Sequence, residues 1–188
     1  MIYLNDDIAG FDLERALPLL SDQRREQALK FRYELGRKTS AMAYLLLCEG
    51  LRREYGITER PLFEYGEHGK PSIVGHPEIH FNLSHCREAV VCVVSDRPVG
   101  VDVECFREYK ESLVRYTMND EEVERIVHAE RPEEEFIRLW TMKEAKVKLT
   151  GQGISDDMKR VLDGREIFRT VVNEKKGYVY SAIYEKNV

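Results

Sequence analysis

Four charged side chains in two segments have the types and the spacing to bind a metal ion and a phosphate. Asp102 and Glu104 lie two residues apart in a valine-rich segment, and Glu144 and Lys148 lie four residues apart, about forty residues further along the chain. Side chains alternate along a strand, so Asp102 and Glu104 point to one side. Residues four apart share a helix face, so Glu144 and Lys148 are neighbours. If this strand and helix pack together, three carboxylates meet beside a lysine.

Three such carboxylates suit a hard divalent cation. Magnesium, or alternatively manganese, takes a few carboxylates together with the phosphate oxygens of a substrate. Two simpler explanations stay open. Asp102 and Glu104 also fit the solvated face of an edge strand, and Glu144 and Lys148 also fit an exposed ion pair worth about 0.3–0.5 kcal/mol. The spacing alone predicts a magnesium-dependent phosphate enzyme, with exposed carboxylates, and does not identify its substrate.

The surrounding sequence alternates between helical and strand-like patterns. Ser21 is the predicted N-cap of a first helix, Gly36 is predicted to interrupt the chain after it, and an apolar second helix is predicted to end near Gly56. The turn Asp96-Arg97-Pro98 is predicted to join two strands in a hairpin. The predicted strands are Leu62–Tyr65, Ile79–Leu83, Ala89–Val94 and Val99–Glu104. A helical stretch, Tyr109–Leu149, follows them and is predicted to break at 117–119 and at 131–132. The chain then forms a predicted hairpin of Ile167–Val172 with Tyr178–Tyr184.

This order of helices, strands, helices and strands predicts an α+β fold made of two similar halves. We expect the halves, residues 1–104 and 105–188, to pack side by side as one compact unit. Their interface is the expected ligand site.

Composition restricts the class of protein. The 188 residues carry a net charge of −5, which argues against general nucleic-acid binding. No apolar run is long enough to span a membrane, and the first residues lack the pattern of a secretory signal, so we expect a cytoplasmic protein. The four cysteines, which form no C-x-x-C pair, are expected to be reduced core residues.

Two further motifs gain meaning beside the acidic segments. Gly69-Lys70-Pro71 is a predicted turn whose lysine projects outward toward a phosphate or nucleotide. Phe81–His85 ends a strand with polar groups that suit a phosphate oxygen, although a simple hydrogen-bonded strand end explains them equally well. Four of the five histidines and Cys86 lie close together, but their spacing does not match a zinc site.

These motifs, taken in order, resemble those of the 4′-phosphopantetheinyl transferases, most closely the Sfp-type members built as a pseudo-dimer. The specific part is Val99-Gly100-Val101-Asp102-Val103-Glu104 followed by Trp140-Thr141-Met142-Lys143-Glu144-Ala145-x-x-Lys148. The resemblance implies transfer of the phosphopantetheine arm of coenzyme A to a serine of an apo acyl or peptidyl carrier protein. The implied activity is that of a holo-acyl-carrier-protein synthase.

The resemblance also implies roles for individual residues. The implied magnesium ligands are Asp102, Glu104 and Glu144, and Lys148 is implied to bind the pyrophosphate. The implied contacts to coenzyme A are Gly69, Lys70, Pro71, Ser84, His85 and Lys143, with Arg37 preferred to Lys38 at the 3′-phosphate. Glu121 is the implied general base, and its neighbours Asp120 and Glu122 stay open as alternatives.

The carrier protein is the implied partner. Arg24, Arg25, Lys30 and Arg32 offer it a basic surface, although a solvated helix face explains them equally well, and Met118 offers an apolar one. A pseudo-dimer holds both halves of the site in one chain, so we expect a monomer. The rival hypothesis is a non-catalytic protein of the same fold that binds coenzyme A or a carrier domain. Its sign would be the loss of a metal carboxylate or of the lysine, and the sequence keeps all of them.

Overall fold

The computed structural model describes residues 1–66, 68–151 and 158–185 of the chain. The strands are β1 (Ile2–Asn5), β2 (Phe63–Tyr65), β3 (Pro71–Ile73), β4 (His80–His85), β5 (Val90–Ser95), β6 (Val99–Cys105), β7 (Phe168–Asn173) and β8 (Tyr178–Tyr184). The helices are α1 (Leu13–Ala16), α2 (Asp22–Leu29), α3 (Glu34–Tyr55), α4 (Glu111–Thr117), α5 (Asp120–Val127) and α6 (Pro132–Thr150). The α+β class is confirmed, and no helix in the described ranges is long and apolar enough to cross a membrane.

The eight strands of the described ranges form two antiparallel three-stranded sheets and one two-stranded ribbon. The first sheet has the order β1-β5-β4, the second has the order β6-β8-β7, and β2 pairs with β3. The predicted hairpin across Asp96–Pro98 is wrong, because β5 has β1 and β4 on its two sides while β6 pairs with β8. The C-terminal hairpin of β7 and β8 is confirmed.

Each three-stranded sheet packs against one long helix. Helix α3 covers the first sheet, and α6 packs against β6 and β8 of the second. Both helices end at a glycine in the left-handed region, Gly56 and Gly151, each with φ 70°. Only glycine adopts this conformation without steric cost, and it satisfies the last helical carbonyls.

Gly36 does not interrupt the chain as predicted, because α3 begins at Glu34 and runs through it. A Cβ on Gly36 would lie 2.7 Å from Cδ1 of Phe31. Gly36 therefore lets the ring of Phe31 pack directly on the helix backbone, a packing role that local propensity does not reveal.

The two sheets meet edge to edge at β4 and β6, and side chains join them. The N–H of Val101 donates to Oδ1 of Asn82 at 3.1 Å, and the N–H of Val103 donates to Oγ of Ser84 at 3.2 Å. We call this junction the β4–β6 seam. At this seam, polar side chains of β4 accept hydrogen bonds from backbone N–H groups on the edge of β6. The seam lies next to the acidic residues of β6.

Candidate active site

Asp102 lies at the β4–β6 seam and is only 4% exposed. Its Oδ1 accepts a hydrogen bond from Oγ of Ser84 at 2.8 Å and an ion-pair contact from Nζ of Lys148 at 2.6 Å. Nζ of Lys148 also donates to Oγ of Ser84 at 3.1 Å. One side chain each from β4, β6 and α6 therefore meets at this point. The predicted packing of strand and helix is confirmed, but Asp102 is buried where an exposed carboxylate was expected.

Gly100 sets how closely β6 approaches α6. A Cβ on this residue would lie 2.0 Å from the carbonyl oxygen of Ala145 and 2.6 Å from the nitrogen of Leu149. No side chain fits into that space. The missing side chain brings the backbone of β6 onto α6, and this contact places Asp102 within reach of Lys148.

Glu104 and Glu144 lie beside Asp102 and are half-buried. Burial raises the pKa of Glu104, and the negative charge of Asp102 raises it further, while Arg107 and Lys148 partly offset this. Burial and the charges of Asp102 and Glu104 raise the pKa of Glu144 in the same way. The three carboxylates thus form one electrostatically coupled acidic cluster.

Two oxygens of the acidic cluster are buried without a hydrogen-bond partner: Oδ2 of Asp102 and Oε1 of Glu144. Buried carboxylate oxygens are normally satisfied, so these two would gain from a bound cation. Within the described ranges, however, no three histidine, cysteine or acidic side chains stand close enough together to hold a metal ion. Carboxylate oxygens are ligands that suit magnesium. In this structure the positive charge beside Asp102 is the ammonium group of Lys148. Lys148 pairs across to β6 and not along its own helix with Glu144.

His85 ends β4 next to the acidic cluster. Its ring contacts the edge of the Phe31 ring, with centroids 6.4 Å apart. Burial, followed by the positive charges of Lys148 and Arg24, lowers the pKa of His85. The lowered pKa favours the neutral imidazole, which can donate one hydrogen bond to an anion without adding charge.

Arg37 and Lys38 lie in the first part of α3. Nε of Arg37 donates to the carbonyl oxygen of Phe31 at 2.8 Å, so Arg37 shares Phe31 with His85. Lys38 pairs with Glu34 of its own helix at 3.2 Å. Arg37 is thereby linked through Phe31 to the end of β4.

The Gly69-Lys70-Pro71 turn is confirmed, with Gly69 at φ 76°, but Lys70 does not project outward. Its Nζ donates to the carbonyl oxygen of Leu149 at 2.8 Å, near the end of α6. Burial lowers the pKa of Lys70. A cavity of about 840 Å³ lies beside this turn. Its walls include Lys70, Ser72, His80, Lys146 and Thr150, and they do not include Asp102 or Lys148.

The structure argues against a ligand contact for Lys143. The side chain is fully buried, its Nζ lies 2.8 Å from Oε2 of Glu122, and it donates to the carbonyl oxygen of Met158 at 2.6 Å. A charged amine enclosed in this way joins α5, α6 and the segment at Met158. We therefore correct the expectation that Lys143 binds coenzyme A.

The three consecutive acids of α5 have different environments. Asp120 and Glu121 are exposed, whereas Glu122 is 6% exposed. Glu122 and the N-cap Asn119 form a reciprocal capping box, in addition to the ion pair with Lys143. The pattern Asn119-x-x-Glu122 is visible in the sequence and would have assigned Glu122 its capping role.

The expected carrier-binding surface is partly wrong. Arg24 is buried, with its guanidinium over the rings of Tyr44 and Phe63, and it donates to Ser40. Met118 is fully buried. Neither side chain can meet a partner, because both belong to the packed interior.

Comparison with known proteins supports the resemblance. The family model described as the 4′-phosphopantetheinyl transferase superfamily matches residues 98–186. The 4′-phosphopantetheinyl transferase psf-1 of Bacillus pumilus is 34% identical over 155 residues, covering 81% of this chain and 66% of that protein. The 4′-phosphopantetheinyl transferase Sfp of Bacillus subtilis is 26% identical over 157 residues, covering 82% of this chain and 70% of that protein.

A shorter match reaches a third relative. The 4′-phosphopantetheinyl transferase AcpT of Salmonella typhimurium is 39% identical over 102 residues, covering 50% of this chain and 52% of that protein. The matched region spans about two thirds of the length of the two Bacillus relatives. With the acidic cluster and the lysine of α6 in place, the chain belongs to the 4′-phosphopantetheinyl transferase superfamily.

Proposed function

We propose that this protein transfers the 4′-phosphopantetheine arm of coenzyme A to a serine hydroxyl of an apo acyl or peptidyl carrier protein. Adenosine 3′,5′-bisphosphate is the leaving product. The observation that carries the proposal is the acidic cluster, which places under-satisfied carboxylates and Lys148 at the junction of the two sheets. Such a site is built to receive a cation together with a polyanion.

Asp102, Glu104 and Glu144 are the proposed ligands of a magnesium ion, with manganese as a substitute. When bound, the ion would supply positive charge to the pyrophosphate of coenzyme A. Lys148 is suited to the same anion, because its Nζ already reaches the seam between β4 and β6. As negative charge grows on the leaving phosphate, Lys148 stabilises it electrostatically.

Contacts along the seam orient coenzyme A in this proposal. Ser84 and the neutral His85 offer hydrogen bonds at the end of β4, and Arg37 offers a guanidinium to the 3′-phosphate. Gly69-Lys70-Pro71 lines the adenosine side, where the cavity beside Lys70 supports a role in binding. In this arrangement the halves 1–104 and 105–188 are related by a pseudo-twofold axis, and one chain supplies the whole site as a monomer.

The serine proton goes to an acid on α5 in this proposal. Glu121 is exposed and has no ion pair with the acidic cluster in the described residues, so it is free to meet an incoming hydroxyl. Glu122 is already held by Asn119 and Lys143. We therefore keep Glu121 as the base. A loss of transfer in Glu122→Gln with unchanged stability, beside an active Glu121→Gln variant, would reassign the base to Glu122.

Intact-protein mass spectrometry tests the proposed function. An apo acyl carrier protein and an apo peptidyl carrier protein are each incubated with the enzyme, coenzyme A and magnesium, with EDTA as the metal-free control. We expect the carrier to gain one phosphopantetheine arm, and the gain to vanish with EDTA. Glu144→Gln should abolish the gain. Glu133→Gln, an exposed acid in the first turn of the same helix, should leave it unchanged.

The non-catalytic alternative has one observation in its favour: the carboxylates of the described region are not assembled as a ready metal site. It predicts coenzyme A binding by calorimetry without transfer to either carrier protein. Transfer to one of them that depends on magnesium excludes it.

A further inference from the structure

The β4–β6 seam has a constant register that extends beyond the acidic cluster. Asn82 meets Val101 and Ser84 meets Val103, and both pairs are 19 residues apart in sequence. Side chains on one face of a strand recur every second residue. The next pair in this series is Cys86 and Cys105. The seam alone therefore brings two cysteines together, one just after β4 and the other at the end of β6.

The side chains agree with this register. Interaction with Cys105 raises the pKa of the Cys86 thiol, and interaction with Cys86 lowers the pKa of the Cys105 thiol, so the two thiols are near neighbours. Both cysteines are free and half-buried. The N–H of Cys86 donates to the carbonyl oxygen of Ala89 at 2.9 Å, which closes a turn after β4, and the backbone of Glu88 and Arg87 in this turn also lowers the pKa of Cys105.

The other two cysteines have a different setting. Cys92 is fully buried in β5, and Cys48 lies on α3 and packs against the same core. Neither belongs to the seam. The fully buried sulfur of Cys92 is inert, and Cys48 is half-buried like the seam pair but is not part of the seam. A half-buried pair of thiols remains within reach of a small oxidant.

We propose that Cys86 and Cys105 form a reversible intramolecular disulfide that ties the ends of β4 and β6 together beside the candidate active site. The oxidant is hydrogen peroxide. One thiol is oxidised to a sulfenic acid as the peroxide O–O bond breaks and a first water leaves. The second thiol then attacks that sulfur, forming the S–S bond and releasing a second water. Two thiols lose two protons and two electrons, and one peroxide is reduced to two waters.

The disulfide acts on the site through its sequence neighbours. His85 precedes Cys86 and Glu104 precedes Cys105. A covalent link requires the two sulfurs to move from contact to about 2.05 Å, within a narrow range of dihedral angles. That change fixes the separation of His85 and Glu104. Oxidation is therefore expected to lower the activity of the proposed site, and a dithiol reductant is expected to restore it.

Peptide mapping tests the disulfide without reference to activity. The full chain is treated with hydrogen peroxide, free thiols are blocked with N-ethylmaleimide, and a non-reducing digest is analysed by mass spectrometry. We expect one linked peptide that joins Cys86 to Cys105, two of the four thiols lost, and both recovered with dithiothreitol. Cys86→Ser and Cys105→Ser should each abolish the link, and Cys48→Ala should keep it. Absence of the link in the folded wild type, or a link to Cys48 or Cys92, would overturn the proposal.

A second measurement tests the effect on the site and depends on the proposed function. Phosphopantetheine transfer is compared between the oxidised and the reduced wild type, with Cys86→Ser treated identically. We expect at least a tenfold loss in the oxidised wild type, full recovery with dithiothreitol, and no loss in Cys86→Ser. A mapped link with unchanged transfer overturns the regulatory role alone. If the reduced protein transfers nothing, it is the proposed function that fails, and the mapping still decides the disulfide.

Discussion

Lys143 and Glu144 are adjacent in sequence but lie on different faces of α6. The charge of Lys143 has ion-pair and hydrogen-bond partners, whereas the charge of Glu144 is only partly compensated. Lys143 is fully buried, and Glu122 and the carbonyl of Met158 satisfy it. Glu144 is half-buried, faces two other carboxylates and keeps an unpaired oxygen. The first face holds elements together. On the second face, neighbouring carboxylates repel one another, and a bound cation would reduce this repulsion. This difference distinguishes a charge that stabilises the fold from one that is available for function.

The largest effect is expected on the satisfied face. Lys143→Met leaves the buried carboxylate of Glu122 without its cationic partner, which should cost about 3–5 kcal/mol of unfolding free energy. Urea denaturation measures it. Lys38→Met removes a lysine whose partner Glu34 is exposed, so it should cost under about 1 kcal/mol. Equal losses in the two variants would show that the Lys143 pair is no more structural than a surface pair.

The opposite outcome is expected on the unsatisfied face. Glu144→Gln should lower transfer by about 10²-fold or more, because it removes a proposed metal ligand. The same variant should be more stable than the wild type at pH 7. The raised pKa of Glu144 means that the folded state disfavours its ionised form, so the wild type loses stability as pH rises through the ordinary glutamate range toward the raised pKa.

Thermal unfolding across pH checks this sign. The gap between Glu144→Gln and the wild type should be widest at neutral pH and should close below the ordinary glutamate pKa, where both side chains are neutral. A variant less stable than the wild type at pH 7 would mean that Glu144 makes a favourable contact in the folded state and does not belong to an under-satisfied cluster.

Widening the gap between β6 and α6 should affect both properties. Gly100→Ala places a Cβ against the backbone of Ala145 and Leu149, and we expect it to cost about 1–3 kcal/mol or more and to weaken transfer by displacing Asp102. Gly66→Ala, whose Cβ would meet only ordinary contacts, should stay within about 0.5 kcal/mol of the wild type. A neutral Gly100→Ala would show that strand and helix separate easily.

The smallest effect is expected at the seam. Asn82→Ala removes the acceptor for the N–H of Val101, and we expect a loss of about 1 kcal/mol in urea denaturation. Transfer should fall less than in Gly100→Ala, because the bond between Ser84 and Val103 remains. An unchanged unfolding midpoint would mean that water replaces Asn82 without cost.

The periodicity of the sequence predicts most of the elements, because local rules determine them. The alternation of valines around Asp102 predicts β6, and Ser21 predicts the start of α2. The pairing of β6 could not be predicted in this way. A short turn between two apolar strands favours a hairpin locally, yet β6 lies at the edge of the other sheet, where long-range packing decides its partner.

Within the candidate site, the meeting of Asp102 with Lys148 follows from their spacing once strand and helix are in contact. The inward direction of Lys143 and Lys70 does not. Hydropathy scales place lysine among the exposed residues. Its burial depends on a carboxylate or a carbonyl that comes from a distant segment of the chain. For such residues the motif identifies the position, and only the tertiary structure assigns the role.

At the β4–β6 seam, single amino-acid substitutions can change the hydrogen bonds that join the two sheets. Hydrogen bonds of a backbone ladder persist through almost any substitution, because every residue carries the same N–H and C=O. Here Asn82 and Ser84 supply the acceptors, so a change in one codon lengthens, weakens or removes a link. Homologous chains can therefore differ in how tightly the two sheets are joined at the seam, while each sheet and its helix stay intact.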